Sequence, residues 1–554
     1  MSKTDIRPSE PAAAGGDASS AAAARQFLIE SGMKAHRPPR WWGVVTGLVA
    51  AGTGLAVGEL VAGFSSELKS PVVTVGDRVI DWVPKWMKDF AVENFGTSDK
   101  VVLIWTILIV IAIAASLVGI ATVRGRRQVG IIGAAIFGVL GAAAGGFGRN
   151  TTIVGAIPAL FAAATAGGVL MVGYQMAHPR PVVTRQSVRS KTSVVPMIPP
   201  LDRRKFLIAS GGLAVVAIGI GSFGKDLQHR FNSSLERAGV RLPVPKDPLP
   251  TPPADPALLP ENQGLSPLIV PITNFYRIDT ALSFPNISLS SWSLKIGGMV
   301  DRELKFSYDD LLARDLIERD ITMSCVSNDV GGDLVGNARW VGCRLDDLLD
   351  EAGIQRGADQ IMGVSDDDFT AGFPVNTLDG RDAMVVFGMN NEVLPVKNGF
   401  PARIVVPGLY GYVSAVKWLK EIRLTTFAEE QGYWIPRGWS ALGPVKTQSR
   451  IDRPGTKISV GNTVIGGVAW APSRGIEKVE VQVDDNEWVE AMLGPVLSED
   501  TWVQWWTKWD ATEGRHQIRV RATDGRGETQ TEELARVDPD GATGWHTIRV
   551  TVSA

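Results

Sequence analysis

The apolar positions of this chain gather into long unbroken runs over its first 225 residues and break into short alternating ones thereafter. Five runs, 41–63, 101–123, 129–148, 151–177 and 206–224, are long enough to cross a bilayer, which takes about 20 apolar residues. The run from Val101 to Val123 carries no charge, and the next two are rich in Gly and Ala, which suits close approach of helices in lipid. In the link after the first run, Val79, Val83, Trp86 and Phe90 recur on one helical face. That spacing predicts a short helix lying on a membrane surface. Glu59 is the one acid within a run and is read as reaching water near a helix end.

Basic residues orient the runs. Lys34, Arg37 and Arg40 precede the first; Arg124, Arg126 and Arg127 join the second to the third; Arg180, Arg185, Arg189, Lys191, Arg203, Arg204 and Lys205 join the fourth to the fifth. With five spans all three groups fall on one side, which is expected to be cytoplasmic, and everything after residue 225 lies outside the cytoplasm. The fifth run opens Asp202-Arg-Arg-Lys-Phe-Leu-Ile208. This resembles an internal twin-arginine export signal, the route for a domain that folds before it crosses. No small-x-small cleavage site follows, so the segment is expected to stay as an anchor.

The chain divides into a low-complexity tail (1–40), a transmembrane domain (41–224), a Pro-rich linker (225–267) and two further domains (268–446 and 447–554). Residues 1–33 are expected to be disordered, and the prolines of the linker to hold it as an extended spacer. In 268–446, Trp292-Ser-Leu-Lys-Ile296 alternates like a strand, 308–314 and 344–353 read as helices, and Arg403-Ile-Val-Val406 reads as a buried strand stopped by Pro407-Gly408. Beyond 447, the stretches 464–470, 478–483, 488–492, 501–509, 516–522 and 546–552 are short strands separated by turn signals. They predict a β-sandwich of immunoglobulin type. Trp502, Trp505, Trp506 and Trp509 crowd one of these strands and are read as core or dimer surface.

A formal net charge of −2 argues against a nucleic-acid partner. Only two cysteines, Cys325 and Cys343, occur, which excludes a four-cysteine iron–sulfur cluster, a four-thiolate zinc site and a disulfide framework. There is no Cys-x-x-Cys-His, and none of the five histidines lies within an apolar run, so neither covalent c-type haem nor an intramembrane bis-histidine haem is expected. Cys325 sits in Ile321-Thr-Met-Ser-Cys-Val-Ser-Asn328, where a strand gives way to a loop. A thiolate is a soft ligand for a redox metal, while a lone strand cysteine is more often a small buried hydrophobe. Cys343, in Trp340-Val-Gly-Cys-Arg-Leu-Asp-Asp-Leu-Leu349, is given no role.

Four segments carry a resemblance: Asn274-Phe-Tyr-Arg277, the Cys325 run, Asn398-Gly-Phe-Pro-Ala-Arg403 and Ser414-Ala-Val-Lys-Trp418. In this order they resemble the sulfite oxidase family of molybdenum-cofactor enzymes, over 268–554. Together with the five apolar runs, which give a helical membrane domain of about five spans, this makes a multidomain fold: the resemblance implies an α+β molybdopterin domain and then an immunoglobulin-like sandwich that dimerises. It implies molybdenum–molybdopterin as cofactor, with Cys325 as the metal ligand. Tyr276, Arg277, Ser365, Asn398, Arg403, Val416 and Lys417 would bind the pterin. Arg403 and Lys417 also suit a buried phosphate on physical grounds, since charged donors bind it strongly. Tyr433, in Tyr433-Trp-Ile-Pro-Arg-Gly-Trp439, matches the family's active-site tyrosine, with Arg437 and Arg339 as further catalytic candidates.

One departure matters. Sulfite oxidases proper have His where this chain has Asn398. The bacterial protein-methionine-sulfoxide reductases of the superfamily have Asn there and a Phe-Tyr pair resembling Phe275-Tyr276, but they lack the sandwich. The expected activity is two-electron oxygen-atom transfer to or from a small oxyanion or sulfur compound. The alternatives are reduction of protein methionine sulfoxide or another S- or N-oxide on the same cofactor, and a cofactor-free membrane receptor or adhesion protein that keeps the fold. Expected partners are a small oxo substrate, membrane lipid, an external electron-transfer protein such as a cytochrome, and a second copy of the chain through the sandwich.

Overall fold

The computed structural model describes residues 38–554 except 66–67, 85–86, 88–89, 91–93, 96–98, 147–152, 179–181, 189–190, 198–202, 231–232, 260–261, 281, 283 and 286. The expectations for residues 1–33, Lys34, Arg37, Trp86, Arg180, Arg189 and Asp202 therefore lie outside the described residues. The chain separates into two units, one ending at Arg230 and one beginning at Phe231.

In the first unit the helices are α1 (Arg40–Ala62), α2 (Pro71–Trp82), α3 (Asp99–Val123), α4 (Arg127–Gly146), α5 (Ile157–Ala177) and α6 (Arg203–Arg230). Among the described residues five helices are long and apolar enough to cross a membrane: Arg40–Ala62, Asp99–Val123, Arg127–Gly146, Ile153–Ala177 and Arg203–Gly224. Helix α1 packs against α3, α5 and α6. Where α1 meets α3, a Cβ on Gly119 would fall 2.2 Å from the Gly43 carbonyl oxygen. Backbone thus lies on backbone, an approach only small residues allow. At one end Trp42 stacks on Phe206 with centroids 4.2 Å apart. On α3, Trp105, Ile109, Ile113 and Leu117 stand exposed.

One expectation for this unit changes, and one element was not foreseen. The helix after the first long apolar helix runs from Pro71 and stops at Trp82, with Val83 already extended at φ −63° and ψ 128°. Pro84 follows Val83, and the residue before a proline is pushed out of the helical region, so Val79 and Val83 do not continue on one helix. The basic link before the fifth long apolar helix carries two antiparallel strands, Val182–Val188 with Lys191–Met197, which its charges concealed.

The second unit begins with two five-stranded sheets. The first contains β3 (Ile317–Ser324), β4 (Val335–Arg344), β7 (Met384–Met389), β8 (Glu392–Val393) and β9 (Arg403–Val405), in the order β8-β7-β4-β3 with β9 also on β7. The second contains β1 (Leu294–Gly298), β2 (Leu304–Phe306), β5 (Gln360–Ser365), β6 (Thr370–Pro374) and β10 (Leu419–Thr425), in the order β2-β1-β10-β5-β6. Strand residues alternate in direction. Val341, Cys343, Val385 and Phe387 therefore enter one core with Leu294, Ile296, Ile422 and the helix residues Leu345, Leu348 and Leu349. Ala338, Trp340, Met384 and Val386 enter a second core, which Val468, Trp470 and Trp502 of the C-terminal region complete. Strands β3, β4 and β7 are buried on both faces; this suits the unbroken apolar run of β7, while β3 and β4 also bury the polar residues Glu318, Asp320, Asn337 and Arg339.

From Gln448 onward the chain forms a two-sheet sandwich. One sheet holds Gln448–Arg453, Gly461–Trp470, Val503–Ala511 and Met492–Leu493; the other holds Lys457–Ser459, Ile476–Val483, Val489–Glu490, Gly514–Asp524 and His546–Ser553. Their inner faces share a core in which Ile465, Val503 and Trp505 meet Val479, Val481, Ile518, Val520 and Val550. Trp505 is sandwich core, whereas Trp502 packs against the neighbouring domain.

The Pro-rich stretch is not a free spacer from Arg237 onward. The Arg237 guanidinium donates to the carbonyls of Val393 and Leu394, each at 3.0 Å from Nε. Lys246 N donates to Leu316 O at 2.8 Å, and Leu249 N to Glu318 Oε2 at 2.9 Å. Asp255 accepts from Leu268 N at 2.7 Å and from Gln504 Nε2 at 2.8 Å, joining the linker to the sandwich. Prolines keep the segment extended, and amides such as those of Lys246 and Leu249 find partners on the domain surface.

Candidate functional site

Cys325 follows directly on the last residue of β3. Its amide donates to Leu334 O at 2.9 Å and its carbonyl accepts from Asn328 N at 3.1 Å, so the thiol sits at the mouth of a closed loop. That thiol lines a cavity of about 950 Å³, counting its open mouth. Tyr276, Arg277, Ser365, Asn398, Arg403 and Lys417 line the same cavity. Asn398 ends a short turn, Val396–Asn398, and Arg403 opens β9. Chain segments far apart in sequence thus converge on one space.

The electrostatics of the wall are unusual. The Arg403 side chain is buried, with no carboxylate on it among the described residues: Nη1 donates to Asn398 O at 3.1 Å, Nη2 meets Met323 Sδ at 3.6 Å, and the guanidinium lies 5.2 Å from the Trp340 ring centroid. Its Nε has no partner among the described residues, and neither has the buried Oδ1 of Asn398. Burial pulls the Arg403 pKa down to about 10, because a cation without water or a counter-ion is costly. Burial pushes the Cys325 thiol up, against hydrogen bonds from Ser327 that lower it. The Tyr276 hydroxyl is also pushed up, first by burial and then by Cys325. Asp279, its carboxylate almost fully covered, accepts from Arg277 Nε at 3.0 Å and pairs with Lys417.

A metal held on a pterin with a phosphate fits this wall. An unpartnered buried guanidinium Nε and an unpartnered amide oxygen need a polar guest. Arg277, Lys397, Arg403 and Lys417 supply positive charge, and a thiol faces the same space. Cys343 lies in the first core with its pKa raised to about 12 by burial. Both cysteines are free.

Four sequence candidates stand elsewhere. Val416 is fully buried behind the wall, packed on Gly363, and does not line the cavity. Tyr433 and Arg437 do not line it either: the Arg437 guanidinium covers the Tyr433 ring at 3.7 Å, and that ring touches Phe369 and Trp434, which do. Arg339 is committed to structure, gripping Asp320 through two bonds of 2.8 and 2.7 Å and Pro250 O at 3.0 Å. Its side chain leaves β4 toward the linker, so the expectation of a catalytic arginine there gives way to a buried ion pair. Sequence reasoning missed Asp279, Met323, Tyr412, Trp434 and Trp439, which do line the cavity. Trp434 and Trp439 belong to the aromatic segment already singled out, but nothing in its spacing says which ring faces inward.

Residues 281–434 match the oxidoreductase molybdopterin binding domain family. Sulfite oxidase from Arabidopsis thaliana is 27% identical over 363 residues, covering 52% of this chain and 90% of that protein. The uncharacterized oxidoreductase YuiH of Bacillus subtilis (strain 168) is 28% identical over 155 residues, 28% of this chain and 75% of that one. Among solved structures, the sulfane dehydrogenase SoxCD from Paracoccus pantotrophus aligns over 48% of this chain and 77% of that chain, at 22% identity and a TM-score of 0.43. On the family match and the similarity to sulfite oxidase, the chain is an oxidoreductase with a molybdopterin binding domain over residues 281–434, and it is similar to the sulfite oxidases.

Proposed function

We propose that this protein is a membrane-anchored oxidoreductase that moves one oxygen atom to or from a small oxyanion or sulfur compound outside the cytoplasm. The observation that carries the reading is the cavity in which the Cys325 thiol and the carboxylate-free Arg403 face one space. When bound, the molybdenum cofactor would supply two-electron oxygen-atom chemistry, leaving the protein to bind, orient and shield.

The roles of the chain's own residues follow from their chemistry. Cys325 Sγ would ligate the metal as a thiolate, its buried proton drawn off by the metal's charge. Arg403 and Asn398 would satisfy the pterin's polar edge, and Lys417 and Arg277 would share their charge between Asp279 and the phosphate. Tyr412, Trp434 and Trp439 would keep the remaining mouth narrow and dry. Electrons would pass to or from a separate protein such as a cytochrome. The sandwich, read as immunoglobulin-like, would join two copies of the chain.

Cys325→Ser tests the reading. Turnover and molybdenum content are expected to fall to background in a protein that still melts cooperatively, whereas a variant retaining metal and activity would refute the ligand assignment. Sulfite and methionine sulfoxide, assayed in both directions, decide between oxidation and S-oxide reduction. For the membrane placement, Arg203→Lys with Arg204→Lys is expected to leave the C-terminal domains inaccessible to protease added outside cells; accessibility equal to wild type would contradict export by the twin-arginine route.

A further inference from the structure

The loop that carries Cys325 is held at its far end by the C-terminal sandwich. Within the loop, Cys325 N donates to Leu334 O at 2.9 Å, Gly332 N to Asp329 O at 2.8 Å, and Leu334 N to Asn328 Oδ1 at 2.8 Å. These bonds close the loop in two steps: Cys325, on the cavity side, and Asn328 are tied to Leu334, and Asp329 is tied to Gly332 at the outer end. At that outer end Arg450 Nη1 donates to Gly332 O at 2.8 Å. The guanidinium is itself oriented, with Nε on Asp452 Oδ1 and Nη2 on Ser266 Oγ, both at 2.7 Å. The second contact is steric. Gly331 adopts φ +79°, and a Cβ there would sit 2.2 Å from the His546 ring, so the imidazole rests on the glycine backbone. His546 is fixed in turn by Ile451 N, which donates to Nδ1 at 2.9 Å.

Arg450 and His546 come from different sheets of the sandwich, on Gln448–Arg453 and His546–Ser553. A charged donor and a rigid ring thus press on two consecutive loop residues from a separate domain. A site must be supported by side chains whose own geometry is locked, and both are.

We propose that Arg450 and His546 are positioning residues that fix the Cys325 thiol through the Gly331–Gly332 end of its loop, so that the sandwich is part of the active site's framework and more than an assembly domain. The word positioning rests on the reading of Cys325 as metal ligand; the clamp on the loop does not.

The test is thiol labelling of the full-length protein produced without cofactor. Iodoacetamide is added and alkylation of Cys325 and Cys343 is followed separately by peptide mass spectrometry. In Arg450→Ala, labelling of Cys325 is expected to rise roughly tenfold, the scale of one lost charge-assisted hydrogen bond, with Cys343 unchanged. Arg450→Lys, whose amine can still reach the Gly332 carbonyl, is expected to return the rate close to wild type. Gly331→Ala, which drives a methyl into His546, gives a second route to the same rise should Arg450→Ala not fold. Unchanged Cys325 labelling in both Arg450→Ala and Gly331→Ala would overturn the clamp, as would Cys343 rising in step with Cys325, since that reports general loosening. Molybdenum missing from the wild-type protein made in a competent host would sink the ligand reading alone.

Discussion

Arg339 and Asp320 face each other directly across β3 and β4 and are joined by two parallel hydrogen bonds of 2.8 and 2.7 Å between side chains that are 8% and 3% exposed. This is a buried bidentate pair, and breaking one side leaves an uncompensated charge. Arg339→Met is expected to destabilise the second unit by about 3–5 kcal/mol, with turnover per folded molecule unchanged. Arg339→Met combined with Asp320→Leu is expected to recover most of the loss. Chemical denaturation with activity normalised to folded protein checks both, and a fall in turnover without a fall in stability would restore the catalytic reading.

Arg403 makes the opposite prediction. Its cation is buried with no carboxylate partner and its pKa is depressed to about 10. A base whose folded pKa lies below its unfolded value favours the unfolded state at every pH where it is charged in both, so at neutral pH it costs stability. Arg403→Met is expected to stabilise the cofactor-free protein by about 1–3 kcal/mol while cofactor content falls at least roughly tenfold, the scale of a lost charged contact. Thermal denaturation of the cofactor-free form and molybdenum analysis are the measurements. A destabilised variant with normal metal content would show Arg403 to be an ordinary structural residue.

Asp500 gives the pH dependence. Burial, with Glu499 and Asp382 nearby, raises its pKa from 3.8 to about 6, partly offset by a hydrogen bond from Ser473 N and by Arg381. A carboxyl raised on folding favours the folded state fully below the unfolded pKa. That contribution is lost as pH rises through about 4 to 6 and is absent above. Asp500→Asn keeps an acceptor for Ser473 N and is expected to add on the order of 2 kcal/mol at pH 7, with the gain vanishing near pH 4. Urea denaturation at the two pH values checks this, and an equal gain at both would show that titration is not the cause.

The fold was legible where the pattern is local. The five long apolar helices could be read from unbroken apolar length, and the helix ending at Gly353 from its left-handed terminator at φ +73°. The strand at Arg403 could be read from its β-branched run and the Pro-Gly stop. The strands Gln448–Arg453 and Lys457–Ser459 were missed, because their charged residues conceal the alternation on which strand assignment depends. The end of α2 at Trp82 was legible in principle from Pro84, but the apolar spacing across it was the stronger signal.

For the site, the sequence by itself determined the chemistry: which residues are soft ligands, which carry fixed positive charge, and which short segments accompany them in order. Donor type belongs to the residue, and the order of the segments was recognised by their resemblance to a family rather than from composition or spacing. Only the tertiary structure decided who faces whom. It placed Arg339 on Asp320 instead of in the cavity, turned Trp434 and Trp439 inward in preference to Tyr433, and put Asp279 between Arg277 and Lys417. It also laid the Pro-rich segment along the domain and brought Arg450 and His546 onto the Cys325 loop. The reason is physical: a side chain's partner is set by strand register and domain packing between residues far apart in the chain, and no local periodicity encodes those contacts.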